Sequence, residues 1–200
     1  MSTPEPMTRA SPLLTYTRAN CAVFFKVDAE WGGLSNMAGG YRLAVNGADI
    51  NSSEALYQAS RFPHRPDLQA EIFTQTGGFG SKLKAKKYRR EHTRPDWSMV
   101  EVDIMRWCLR VKVKQNWATI ANLLRASGER AIVEQSSKDD FWGAKVVPND
   151  PNQLIGRNVL GRLLTELRDE IVAKTRTGFT AIEPVPIPDF LLLGKPIPRL

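Results

Sequence analysis

The residues able to do chemistry gather in three stretches. SSKDDFWGA, residues 136–144, sets Asp139 and Asp140 beside Phe141, Trp142 and Gly143. Carboxylates next to an indole suit a pocket that stacks on a flat ring and reacts beside it. A turn that buries its indole and solvates its aspartates has the same composition. NSSEALYQASRF, residues 51–62, reads as a helix capped by Ser52 or Ser53 and stopped by Pro63. Glu54 then falls in the first turn, where the helix dipole favours the ionised carboxylate. SKLKAKKYRR, residues 81–90, carries Lys82, Lys84, Lys86, Lys87, Arg89 and Arg90. On a helix, Lys82, Lys86 and Arg89 share one face, which reads either as solvated surface or as a phosphate-binding face. Repulsion among these cations would lower the pKa of a lysine held in their midst.

Other chemistries lack their residues. His64 and His92 are the only histidines, Cys21 and Cys108 the only cysteines, and none stands at metal-ligand spacing. The sequence thereby reads against a zinc site or a histidine-based triad. No GxGxxG follows a strand and no P-loop occurs, which removes the dinucleotide and NTPase readings. Carboxylates, amides, aromatics and cations remain, with no metal or cofactor expected. That set suits scission of a glycosidic bond to a base. Departure of the base leaves positive charge at the anomeric carbon, and a nearby carboxylate stabilises it. A second acid or a positioned water completes the reaction.

The elements that must position these groups follow from length and pattern. Two hundred residues suit one domain with arms. The expected divisions are a flexible leader over 1–19, a catalytic domain over 20–178 and a Pro-rich extended tail over 179–200. The tail is too apolar for a free linker and is expected to lie against its own domain or a neighbouring subunit. The formal charge of +7 and a pI near 9.6 favour a polyanionic partner or a phosphate-bearing ligand. No signal-peptide core or membrane span is visible, so a cytoplasmic, reduced protein is expected. CAVFFKV (21–27) and AIVEQ (131–135) read as strands, and Asn46-Gly47 as a hairpin turn. WGGLSNMAGGY (31–41) reads as a glycine-rich loop. Helices are expected over 68–75, over 97–116 with Asp96 as cap, over 117–126, and after Gly156-Arg157-Asn158. The segment 146–153, with Pro148 and Pro151, reads as a loop.

The motifs, taken in order, resemble the NADAR superfamily, the YbiA-like N-glycosidases. LSNM (34–37) is similar to the family's F-S-N-F loop. SEALYQASRF (53–62) is similar to S-E-H-x-x-Q-A-x-K-F, keeping Glu54, Gln58 and Ala59 but with Ala55 for histidine and Arg61 for lysine. RPDW (94–97) and MRWCLRVKVKQN (105–116) resemble the long family helix. IVEQSSKDDFWGA (132–144) resembles V-E-x-S-x-x-D-x-x-W-G, and GRNVLGRLLTELR (156–168) resembles G-x-N-x-L-G-x-L-L-M-x-x-R. Together these cover roughly residues 25–171. The resemblance implies a mainly helical α+β fold, one YbiA-like domain with a few short strands and a β-hairpin.

It also implies a pocket made by the Ser-Asn loop, the Glu54 helix and the Asp139–Trp142 loop. Two family activities follow as expectations. One removes ADP-ribose from guanine in nucleic acid, reversing DNA ADP-ribosylation, in some cases as antidote in a toxin–antitoxin pair. The other cleaves riboflavin-pathway phosphoribosyl intermediates. The lysine-dense 81–90 segment favours the first, with ADP-ribosylated DNA ahead of RNA as partner and a cognate ADP-ribosyltransferase toxin as a further one. A non-catalytic ADP-ribose or NAD-binding module is the alternative from another class, and a protein that neutralises a toxin by contact is a second. Expected catalytic residues are Glu54, Asp139 and one of Lys84 and Lys86, the lysine as a candidate nucleophile. Expected substrate contacts are Ser35, Asn36, Gln58, Trp142, Gly143, Arg157 and Asn158.

Overall fold

The computed structural model describes residues 7–200, the side chains of 175 and 176 excepted. In chain order the elements are β1 (Leu14–Thr17), β2 (Cys21–Phe24), β3 (Leu43–Val45), β4 (Ala48–Ile50), α1 (Ser53–Ala59), α2 (Pro66–Phe73) and α3 (Gly78–His92). Then come α4 (Trp97–Gln115), α5 (Trp117–Ala126), β5 (Ala131–Glu134), β6 (Lys145–Val147), β7 (Asp150–Gly156), α6 (Val159–Lys174), β8 (Leu191–Leu192) and β9 (Lys195–Pro196). The fold is α+β and mainly helical, as expected.

Helix α4 is the axis of the core. Ile104, Met105, Cys108, Leu109, Val111 and Val113 are buried along it, and it packs on α1, α5 and α6. Withdrawing such a stripe from water is the main gain of the fold. Its cap differs from expectation. Asp96 stands at the N-cap without a side-chain cap bond, because its carboxylate accepts the Arg94 guanidinium at 2.6 and 2.9 Å. The hairpin forms where the turn chemistry places it. Asn46 and Gly47 adopt φ of 51° and 79°, and Leu43 faces Ile50 across β3–β4.

Two loop assignments are corrected. The flexible leader fails over Leu14–Thr17, which pairs antiparallel with β7 in a β1-β7-β6 sheet. The prolines ahead of this strand hide a four-residue run of good strand formers. Residues 1–6 of that leader lie outside the described residues. The loop expected over 146–153 is instead the β6–β7 hairpin, turned at Asn149 with φ of 66°. Pro151 is tolerated because the register shifts between Val146 and Val147, leaving it out of the ladder.

Strands β2 and β5 pair in parallel, bringing the Phe24 end beside Glu134. The C-terminal segment folds back on its own domain as the β8–β9 hairpin, with Phe190, Leu192 and Ile197 in the main core. The Gln69 side chain ties it down, donating to the Leu191 carbonyl at 3.1 Å and accepting from the Leu193 amide at 2.6 Å. No helix among the described residues is long and apolar enough to cross a membrane.

Candidate active site

The 35–38 loop docks onto the first turn of α1. Ser52 caps the helix by accepting from the Ala55 amide at 3.2 Å. The Ser53 hydroxyl and the Glu54 amide both donate to the Asn36 carbonyl, at 3.2 and 2.9 Å. Beneath the loop lies a lysine that sequence reasoning missed. Lys112 on α4 is buried, and its Nζ donates to the Gly33 and Ser35 carbonyls at 2.7 and 2.8 Å. Burial lowers its pKa to about 7. Either protonation state keeps N–H groups for both carbonyls.

This docking fixes Glu54, which is only 2% exposed. One carboxylate oxygen accepts the Gln58 side-chain amide at 2.8 Å, and the other accepts the Asn36 amide. Gln58 in turn accepts Arg89 at 3.0 Å. Burial raises the Glu54 pKa, against the opposing pull of Lys82, the Gln58 amide, Arg89 and Arg61. The expectation that the helix dipole keeps this carboxylate charged is met by an opposing effect, since burial raises its pKa. A seven-residue helix offers a small dipole, and full withdrawal from water outweighs it.

Glu54 opens onto a cavity of about 430 Å³, a volume suited to a small ligand. Asn36, Gln58, Asp139 and Trp142, four residues singled out in the sequence, line it. Asp139 also builds its own turn, with one carboxylate oxygen accepting the Phe141 and Trp142 amides at 2.9 and 3.0 Å. The Trp142 ring meets Tyr57 edge-on at 5.7 Å and Phe141 at 5.1 Å, so its plane is held.

Glu134 was not anticipated. It ends β5 and lines the same cavity, and its pKa is pushed up to about 8. Burial is the main cause, the Asp139 and Glu54 carboxylates add to it, and Lys82 opposes it. The signal available was a carboxylate following the apolar run Ile132-Val133. Four cations complete the lining: Arg9, Arg61, Lys82 and Arg89. Arg9 donates to buried Glu101 at 3.0 Å and lies 4.4 Å over the Phe141 ring. Arg61 stacks 3.8 Å over Trp97, and burial lowers its pKa to about 10. The buried Nε atoms of Arg61 and Arg89 have no hydrogen-bond partner among the described residues.

The remaining expected residues stand outside the cavity lining. Lys84 is salt-bridged to Glu71 at 2.6 Å, and that bond raises its pKa, the reverse of the expected lowering. Lys86 is exposed on the outer side of α3. Of the face expected to unite Lys82, Lys86 and Arg89, the structure brings only Lys82 and Arg89 to the cavity. Ser35 is buried, its hydroxyl accepting from the Met37 amide at 3.2 Å. Arg157 donates to the Ser11 carbonyl at 2.8 Å and pairs with Asp140. Asn158 clamps α6 to β5: it accepts the Glu134 amide at 3.0 Å and donates to the Ile132 carbonyl at 2.8 Å. Gly143 is needed for space, since a Cβ there would stand 2.6 Å from the Glu134 carbonyl oxygen. Asn158 and Gly143 therefore act on the site by positioning Glu134.

Comparison with known proteins follows the same outline. The NADAR domain model matches residues 23–172. A riboflavin biosynthesis protein of Vibrio vulnificus is 32% identical over 148 residues, covering 74% of this chain but 38% of its own length. The chain thus spans well under half of that relative. The N-glycosidase YbiA of Escherichia coli is 29% identical over 151 residues, 74% of this chain and 86% of its own. The NMR structure of E. coli YbiA superimposes with a TM-score of 0.62 at 25% identity, over 79% of this chain and 92% of that one. On the family match across most of its length, the chain belongs to the NADAR family.

Proposed function

We propose that this chain is an N-glycosidase that releases ADP-ribose from guanine in nucleic acid. The observation that carries the N-glycosidase reading is the pairing of two unlike carboxyl groups on one cavity. Burial raises the pKa of both groups, but Glu54 accepts amide N–H groups at both oxygens and faces Lys82, Arg89 and Arg61, which oppose that rise. Glu134, raised to about 8, keeps its proton at neutral pH. As the bond to the base breaks, Glu134 gives its proton to the leaving base and Glu54 stabilises the positive charge at the anomeric carbon. A water then adds to that carbon and returns a proton to Glu134, which balances the hydrolysis. Trp142 walls the base or sugar, and Asp139 holds the turn that places it. The relatives named N-glycosidase and riboflavin biosynthesis protein support the reaction class.

Four cations on the cavity, two with unpartnered guanidinium nitrogens, favour a pyrophosphate over a single phosphate. The lysine role expected of Lys84 or Lys86 passes to Lys82, the lysine of this segment that lines the cavity. Its charge faces both glutamates, and borohydride trapping of a protein–sugar adduct during turnover would instead make it the first nucleophile. The riboflavin-type reading is kept by the Vibrio relative's name. Chromatography of products from an ADP-ribosyl-guanine oligonucleotide and from a riboflavin-pathway phosphoribosyl intermediate separates the two. Faster release of ADP-ribose is expected, and equal or faster turnover of the intermediate would overturn the substrate assignment. Tight ADP-ribose binding without product, unaffected by Glu54→Gln, would make the chain a binding module. Reversal of DNA modification opposite a cognate ADP-ribosyltransferase toxin is the biological role this activity fits.

A further inference from the structure

Two phenylalanines line the cavity with most of their surface in water. Phe25 follows β2 and is 56% exposed; Phe79 sits in the first turn of α3 and is 65% exposed. Single exposed apolar residues are ordinary, but two aromatic rings from separate elements on one cavity form a patterned rim. The pattern continues along α3. Leu83, Lys86 and Arg90 follow Phe79 at i+4, i+7 and i+11, which places all four on one helical stripe, and all four are exposed. No ion pair among the described residues engages Lys86 or Arg90. The stripe spans about 16 Å at the helical rise and lies beside the Lys82–Arg89 stripe that lines the cavity.

Rings followed by cations fit a ligand with flat faces and a repeated negative charge. A small metabolite held inside the cavity would not reach Lys86 or Arg90. A base-paired duplex offers no free base faces to the rings, whereas an unpaired strand does. A protein partner would call for a contiguous apolar centre, which this stripe interrupts with charge. The net charge of +7 adds long-range attraction for a polyanion.

We infer that Phe25, Phe79 and the Leu83–Lys86–Arg90 stripe form a binding site for single-stranded nucleic acid flanking the reacting nucleotide. The inference rests on the nucleic-acid reading above and adds the strand site to it. The two rings on the cavity would stack on neighbouring bases, and the α3 cations would follow the phosphates away from it.

The test is fluorescence anisotropy of a labelled, unmodified short DNA strand and its duplex. The proteins are wild type, Phe25→Ala/Phe79→Ala and Lys86→Ala/Arg90→Ala, each checked for an unchanged thermal midpoint. Wild type is expected to bind the strand more tightly than the duplex. The phenylalanine pair is expected to weaken strand binding about tenfold or more at fixed salt. The cation pair is expected to flatten the log–log salt dependence by about 1.4. Equal strand binding by the phenylalanine variant, or tighter binding of the duplex, would overturn the site. In turnover, the phenylalanine variant should lose about tenfold more kcat/KM on an ADP-ribosyl-guanine oligonucleotide than on the ADP-ribosyl-guanosine mononucleoside. Equal losses on both would also overturn it. Ring-dependent strand binding without release of ADP-ribose by wild type would leave this site standing and remove the proposed reaction.

Discussion

Glu134 and Glu54 share a cavity but differ in what surrounds them, and the roles proposed for them rest on that difference. In the proposed reaction, the Glu134 pKa of about 8 makes the protonated group the active form. Activity should hold below that pH and fall as pH rises through it. Glu134→Gln should lower kcat by about 10² to 10⁴ and remove this alkaline limb. A pH–rate profile of wild type and variant checks both. Among the lysines, Lys82→Met should lose most activity, while Lys84→Met should change kcat/KM little and act through its Glu71 bond on stability. Comparing kcat/KM with the thermal midpoint separates the two outcomes. Stability carries the pH signs of half-buried Glu134 and buried Lys112. Between 4.5 and about 8 the folded chain holds the Glu134 proton more tightly than the unfolded chain, so this group makes stability fall as pH rises. Lys112, lowered from 10.5 to about 7, makes stability rise with pH between about 7 and 10.5. Lys112→Met should abolish the second slope.

At the scale of elements, the site depends on how the Ser-Asn loop, α1 and the end of β5 are held. Lys112→Met strips donors from two carbonyls that it now satisfies and should cost about 1–3 kcal/mol, with a fall in kcat as Asn36 loses its support. Thermal melts with kinetics measure this. Much of this arrangement was legible in the sequence. The Ser52 cap and the Asn46-Gly47 turn rest on local spacing, and local spacing survives folding; the Asn36–Glu54–Gln58–Trp142 set was legible through the resemblance to the family's motifs. What was illegible depends on contacts between distant residues. Asn158, Gly143 and Arg157 stand on motifs that read as substrate contacts, yet the first two hold Glu134 through β5 and the third binds Ser11 and Asp140. Glu134 itself looked like the end of a strand. Only the pairing of β2 with β5 and the approach of Asp139 reveal a half-buried carboxyl with a raised pKa. The lysine segment misled for a related reason, since composition does not say which helical stripe faces inward.

At the scale of the whole molecule, segments outside the family match complete the structure. The match begins at residue 23, yet β1 and Arg9 precede it, with Arg9 bridging Glu101 and Phe141 at the cavity. Arg9→Met should raise KM for an ADP-ribosylated substrate more than it lowers kcat, because the group reaches ligand charge and not the glutamate pair. Steady-state kinetics read that split. The C-terminal hairpin packs into the same core, so truncation after residue 188 should destabilise the fold through loss of buried Phe190, Leu192 and Ile197. The most direct measurement is single-turnover release of free ADP-ribose from an ADP-ribosyl-guanine oligonucleotide by wild type, Glu54→Gln and Glu134→Gln. Release by wild type, slowed about 10² or more in both variants, is the expected result. Release undiminished in the two variants, or none from wild type, would contradict the proposed paired-glutamate glycosidase.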